Sequence, residues 1–366
     1  MRVASLALPI ALLPACRVSA GVGDLVDTVK TTPHASVGGM QRITLPECSD
    51  PAPAATGHVV FRLPDGHVYR LAADGSSSPE DISKKLDRIG PGQDGFINTA
   101  PDGESLLVVT SRFGCGDQMC LAIVDQNVCQ AEVVVVQGLP PQIEGYAALG
   151  SGGNLIVYPS EGGPHSIDLF AISRKSAGDP WSTPLLLTKD SPYAYNNQPT
   201  VSPDGTHLLW DCGEEPAADA GTNICEVGTD GEDFKVRVPQ RAPRGMSTAS
   251  ANHHAAYAPD GSIVFEGTWN GGAEQVWREV PNLAPSLINA ETIEESPIVY
   301  RFTDDNSPCV LPDGRVVSLW LGREGAHKDG AHKSGHEIKV MDSDGGNQSM
   351  LATDVDVVDV GIGCSR

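Results

Sequence analysis

Ser202-Pro203-Asp204-Gly205-Thr206-His207-Leu208-Leu209-Trp210 is the stretch on which the fold turns. Proline presets one turn dihedral, the aspartate side chain caps a free backbone N–H, and glycine accepts positive φ, so Pro-Asp-Gly closes a tight hairpin. The Leu-Leu-Trp run after it reads as a buried strand. Pro-Asp-Gly recurs at 101–103, 259–261 and 312–314, and a degenerate copy, Ser151-Gly152-Gly153, falls where the missing one is due. The steps of about 50 to 56 residues match one blade of a propeller.

Each hairpin joins a first strand to a stronger apolar second strand, as in Leu106–Val109, Leu155–Tyr158, Ile263–Phe265 and Val316–Trp320. A third strand follows, such as Met119–Asp125, Ile224–Val227 or Glu337–Asp342, and turns such as Asp230-Gly231 and Asp344-Gly345-Gly346 lead to a fourth. Four strands make one blade. The first repeat lacks its innermost strand: Gly57–Leu63, His67–Ala73 and Pro79–Leu86 read as its second to fourth strands, with Pro64-Asp65-Gly66 as a turn between two of them. Asp354–Gly361 reads as an innermost strand, and joining it to the first repeat closes a ring without open sheet edges. The expectation is an all-β, six-bladed propeller of four-stranded antiparallel blades.

The repeat of strand, Ser-Pro-Asp-Gly, apolar strand with Trp, and a strand ending in Asp-Gly resembles the TolB-like propeller repeat of bacterial cell-envelope proteins. The resemblance covers residues 57–366. It implies the fold and an envelope setting. It does not imply an activity, because the same repeats also decorate peptidases and lyases.

Composition agrees. The 366 residues include 40 Gly and 28 Pro, which suits a turn-rich β protein. The net charge of −22 argues against nucleic acid or an anionic lipid surface as partner, since both reward Lys and Arg. Met1-Arg2 followed by the apolar Val3–Ala15 reads as a signal peptide too short to span a bilayer permanently. Cleavage after Ala20 gives a free exported protein. Cleavage before Cys16 within Leu13-Pro14-Ala15-Cys16 gives a lipoprotein lipidated on Cys16, in the periplasm, the outer membrane or at the cell surface. Residues 21–47 then serve as a tether and 48–366 as the propeller.

Leaving Cys16 aside, eight cysteines remain, an even set that suggests disulfides in an exported chain. Cys212 with Cys225 and Cys115 with Cys120 occupy matching places at facing strand ends. Cys48 and Cys364 lie near the chain ends and are placed to bolt the closure, which leaves Cys129 and Cys309 without an assigned partner.

Stacking the repeats gives a column of polar residues. Asp94, Glu144, Asn196, Asn252 and Asp305 stand seven residues before each hairpin, and Asn197, His253 and Asn306 stand six before. A ring of such groups at one end of the channel offers oxygen ligands for a divalent metal such as calcium, or hydrogen bonds for a polar ligand. Capping of the preceding loops is the competing explanation. A second cluster, His327, His332 and His336, sits in a Gly-rich loop of the last blade and has the ligand types for Zn²⁺ or Cu²⁺.

No Gly-x-Ser-x-Gly elbow or phosphate loop is present. Two readings stay open, and the chain does not declare itself an enzyme. One is a binding scaffold that engages an envelope protein or polysaccharide through the channel mouth and rim loops. The other is a metal-dependent lyase or hydrolase at the channel, with His253, His254 and Asp305 as acid–base residues.

Overall fold

A computed structural model describes residues 41–44, 57–88, 90–113, 120–125, 128–134, 146–214, 221–240, 251–269, 274–289, 292–296, 299–302, 304–321, 336–357 and 362–365. The expected signal peptide, Cys16, Cys48, Cys115, Glu144, His327 and His332 lie outside these residues, and of His336 only the backbone is described, as the first residue of a strand.

The described chain forms six antiparallel blades. Numbered along the chain, they begin with blade 1, His58–Arg62, Val68–Ala72 and Glu80–Asp81, completed on its inner edge by Gly363–Ser365. Blade 2 is Asp94–Thr99, Ser105–Thr110, Cys120–Asp125 and Gln130–Val133. Blade 3 is Ala148–Leu149, Leu155–Ser160, Asp168–Ser173 and Leu185–Leu186. Blade 4 is Tyr195–Val201, His207–Gly213, Asn223–Gly228 and Lys235–Val238. Blade 5 is Asn252–Tyr257, Ile263–Gly267, Gln275–Glu279 and Ser286–Leu287. Blade 6 is Asp304–Val310, Val316–Leu321, His336–Met341 and Ser349–Val357. The innermost strands touch one another in turn around the ring, including blade 6 to the closing strand and the closing strand to blade 2.

The hydrophobic core is divided among the gaps between blades. Leu106 and Val108 face blade 1, whereas Leu107 and Val109 face blade 3. Leu208 and Trp210 likewise pack toward blade 3, and Leu209 toward blade 5. Strand alternation therefore sends successive residues into two different clusters, and a strand covered on both faces must be apolar throughout. Arginines tie the same gaps together. Arg62 donates to Gly95 O of blade 2 at 3.2 Å, Arg278 to Ser343 O beside blade 6 at 3.0 Å, and Arg315 to Ala73 O beside blade 1 at 3.2 Å. Arg174 of blade 3 pairs with Glu132 of blade 2, and Arg237 of blade 4 with Glu279 of blade 5 at 3.0 Å.

Three expectations are corrected. Asp354–Gly361 is not the closing strand. Residues through Val357 belong to the outer strand Ser349–Val357 of blade 6, where alternate Val355 and Val357 pack on the cluster between blades 6 and 1. The closing strand is Gly363–Ser365, which pairs Cys364 with Val59 of blade 1. Pro79–Leu86 is not one strand either. Asp81 accepts from Lys84 N–H at 2.8 Å and caps a one-turn helix, Ile82–Leu86, whose Ile82 and Leu86 share one buried face. Cys364 is bonded to Cys309, not Cys48, because the closing strand lies beside the innermost strand of blade 6 with the two Cα atoms 5.6 Å apart.

Cys212 is bonded to Cys225 within blade 4, and Cys120 and Cys129 are each disulfide-bonded. Within the expected tether, Gln41–Thr44 forms a fifth strand on the outer edge of blade 2, pairing antiparallel with Gln130–Val133.

Candidate functional site

A cavity of about 310 Å³ lies among the innermost strands of all six blades. The hairpin residues Pro101, Pro203, Pro259 and Pro312 line it, as do Tyr146 and Tyr257. In blades 4, 5 and 6 the innermost strand carries a bulge, seen as register shifts between Asn197 and Thr200, His253 and Ala256, and Asn306 and Cys309. One residue inside each bulge holds a left-handed backbone: Gln198 at φ 55°, His254 at φ 50° and Ser307 at φ 46°. All three stand five residues before their hairpin prolines, and all three line the cavity.

Their support comes from strands behind them. Gln198 Oε1 accepts from the His254 backbone N–H at 3.3 Å. Glu266, 4 % exposed on the second strand of blade 5, places Oε2 3.2 Å from His254 Nδ1 and accepts from the Ser307 N–H of blade 6 at 3.0 Å. The Tyr146 ring stands edge-on to the His254 ring with centroids 5.6 Å apart. A second imidazole–carboxylate pair crosses the previous gap, with His253 Nδ1 of blade 5 lying 2.9 Å from Oδ2 of the fully buried Asp211 of blade 4. Asn306 Nδ2 donates to Glu274 Oε2 at 3.1 Å.

Burial works against a charged His253, but the hydrogen bond and charge of Asp211, with Glu266 and Glu274 nearby, overcome it and lift the imidazole to about 9. His253 is therefore protonated at neutral pH and Asp211 is its counter-ion. Burial pushes the Asp211 carboxyl upward, opposed by His253. Burial also pushes Glu266 up, but the hydrogen bond and charge of His254, the charge of His253 and the Ser307 N–H hold it below its ordinary value.

Among the described residues, the two pairs do not assemble a relay to a nucleophile. Ser307 Oγ and Glu266 both face Nδ1 of His254, at 3.5 and 3.2 Å, so the carboxylate and hydroxyl are not on opposite ring nitrogens. Thr222 Oγ1 lies 3.4 Å from His253 Nε2, opposite Asp211, but it is buried, donates to Asn252 O at 2.8 Å, and faces an imidazolium.

The four described residues that stand seven before a hairpin are turned into the blades. Asp94 pairs with the buried Arg112 guanidinium at 3.0 Å and accepts from Thr110 and Ser83 hydroxyls. Asn196 Oδ1 accepts from Trp210 Nε1 at 3.0 Å. Asn252 Nδ2 donates to Pro239 O at 3.3 Å. Asp305 accepts from Ser318 Oγ at 2.9 Å and faces buried Lys339 at 3.3 Å, so it does not join His253 and His254. Asn197 donates to the Tyr195 hydroxyl at 2.8 Å. Among the described residues no three of His, Cys, Asp and Glu converge as metal ligands. Sequence reasoning missed Asp211 and Glu266. Both sit cross-strand from the residue six before the hairpin, opposite Asn197 and His253. Their signal was an acid inside a buried apolar run, Trp210-Asp211-Cys212 and Phe265-Glu266-Gly267.

No family model matches this chain, and no curated protein matches it in sequence. Solved structures do. The putative TolB from Agrobacterium tumefaciens is 17% identical with TM-score 0.52, over 87% of this chain and 91% of that one. TolB from Acinetobacter baumannii is 14% identical with TM-score 0.57, over 86% and 68%. A chain of a nidogen/laminin complex is 9% identical with TM-score 0.54, over 85% and 99%. At these identities the likeness is one of fold, and the fold is the TolB-like six-bladed propeller.

Proposed function

We propose that this propeller is an exported scaffold that binds an envelope protein or polysaccharide through its channel mouth and adjoining rim loops. One observation carries the reading. Three consecutive blades hold non-glycine residues in the left-handed region at the same offset, and all three line the cavity. Such strain costs on the order of 1 kcal/mol or more per residue and collects at ligand clamps and active sites. Here it displays the Gln198, His254 and Ser307 positions, backed by the buried Glu266, at the cavity wall. Among the described residues, Glu266 and Ser307 both face Nδ1 of His254, an arrangement that suits a bound polar group better than a proton relay. Export rests on the signal-peptide reading of residues 1–20, with Cys16 as the anchor where it is lipidated.

The Gln198→Gly/Ser307→Gly variant tests this. Glycine tolerates the same backbone, so the fold should survive while the cavity loses two polar side chains. Wild-type protein should retain an envelope protein in cross-linking, or a defined polysaccharide in calorimetry, that the variant binds at least about tenfold more weakly (about 1.4 kcal/mol). Equal retention by both, at unchanged melting temperature, would remove the channel from the binding site.

A further inference from the structure

The two disulfides joining described residues differ in surroundings. Cys212 and Cys225 have no exposed surface and join two strands of one blade that already share six register pairs. Cys309 and Cys364 both line the central cavity and join different blades. Among the described residues, the strand that carries Cys364 is three residues long and pairs with blade 1 through three registers. Its other ties include the Thr99 hydroxyl of blade 2, which donates to Cys364 O at 2.6 Å. Closure of the ring thus combines a short ladder with one covalent bond, and that bond is reached from the channel.

We infer that Cys309–Cys364 is a thiol–disulfide exchange site open to the cavity, and that it is the reducible lock of the ring. The reactant class is a small dithiol. Its thiolate attacks one cysteine sulfur, the protein S–S bond breaks as a mixed disulfide forms, and the displaced cysteine leaves as a thiolate that takes a proton from solvent. The second thiol of the reagent, as thiolate, then attacks the mixed disulfide. Both cysteines end as thiols, the reagent ends as its own disulfide, and two electrons have passed to the protein. With the bond cut, the described closing strand is held by its three-residue ladder and side contacts, and its pairing with His58–Arg62 should fray. The inference does not depend on the channel binding a partner.

The test uses the full oxidised chain and dithiothreitol under native conditions. Samples are alkylated at intervals, and each cysteine is followed by peptide mass spectrometry, with tryptophan fluorescence as a check that the fold persists. Cys309 and Cys364 should become alkylated at least about tenfold faster than Cys212 and Cys225, since exchange rates follow access. Amide exchange at Val59, Val60 and residues 363–365 should rise at the same time, ahead of the other blades. Equal rates, reduction of Cys212–Cys225 first, or reduction of both pairs only on unfolding would overturn the exchange site. A Cys309→Ser/Cys364→Ser variant examines the lock separately. Faster exchange at Val59 and Val60 than in the oxidised wild type supports it, and unchanged exchange overturns it. If that variant does not fold, the kinetics on the wild-type chain still decide.

Discussion

Replacing Asp211 by asparagine keeps an oxygen acceptor near His253 Nδ1 and removes the charge that holds the imidazole protonated. The lift of His253 from 6.5 to about 9 is roughly 3 kcal/mol, at ~1.4 kcal/mol for each tenfold change in proton affinity. His253 is 18 % exposed and Asp211 fully buried, so solvent screens the pair little. The sign follows from linkage. A histidine whose folded-state basicity is raised contributes its full stabilisation below its unfolded value, near 6.5, and loses it as pH rises through about 9. Burying the Asp211 carboxylate is itself costly, so the variant recovers part of what it loses at any single pH. The pH slope is the cleaner quantity. Between pH 6.5 and 9 the wild type should lose about 3 kcal/mol relative to Asp211→Asn, about 5 °C in melting temperature for a domain of this size. Thermal melts of both proteins at half-unit intervals across this window give the difference directly, and other titrating groups cancel in it. Parallel melting curves for wild type and variant would refute the ion-pair argument, whatever their vertical offset.

Other substitutions probe the junctions between blades. Gly345 has φ 87°, and a Cβ there would lie 1.5 Å from Ile288 O of the neighbouring blade, so Gly345→Ala should lower stability by more than about 2 kcal/mol in urea unfolding. Gly314→Ala, at φ 89° but with open space around it, should cost only about 1 kcal/mol, and equal effects would discount the backbone contact. Arg237→Met strips Glu279 of its guanidinium and leaves Glu226 with Lys235, at 3.1 Å, and the Tyr257 hydroxyl, at 3.2 Å. The expected loss is about 3 kcal/mol, smaller at low pH, where Glu226, which burial pushes up but Arg237 and Lys235 hold below its ordinary value, takes up its proton. A stability change that ignores pH would point to lost packing instead.

The fold was legible because each hairpin is decided by three adjacent residues. Gly103, Gly205, Gly261 and Gly314 all take the positive φ that Pro-Asp-Gly predicts, and none needs information from elsewhere in the chain. The closing elements were less legible because their signals are ambiguous locally. Val-Asp alternation at 354–357 suits an outer strand as well as an inner one, and Asp81 caps a helix inside a stretch, Pro79–Leu86, that reads locally as a strand. The choice of Cys309 as partner of Cys364 depends on which blade lies beside the closing strand.

The channel column shows why register alone does not assign a face. Counting back from Pro203, Pro259 and Pro312 does align equivalent residues, but a bulge lies between each hairpin and the column. A bulge adds a residue and breaks the two-residue alternation, so a side chain counted as channel-facing can turn into the blade. Asn196, Asn252 and Asp305 do so, each bonded to blade or adjacent-loop groups. The residue inside the bulge meets the cavity instead; of the three only His254 stands out in the sequence, because Gln198, His254 and Ser307 share no side-chain chemistry that would mark them as one set. What they share is a left-handed backbone, which side-chain identity does not announce in residues other than glycine. The same irregularity therefore hides the polar wall of the cavity from pattern reading and creates it, and substitutions that relax the bulge should be more informative about ligand binding than charge changes in the column.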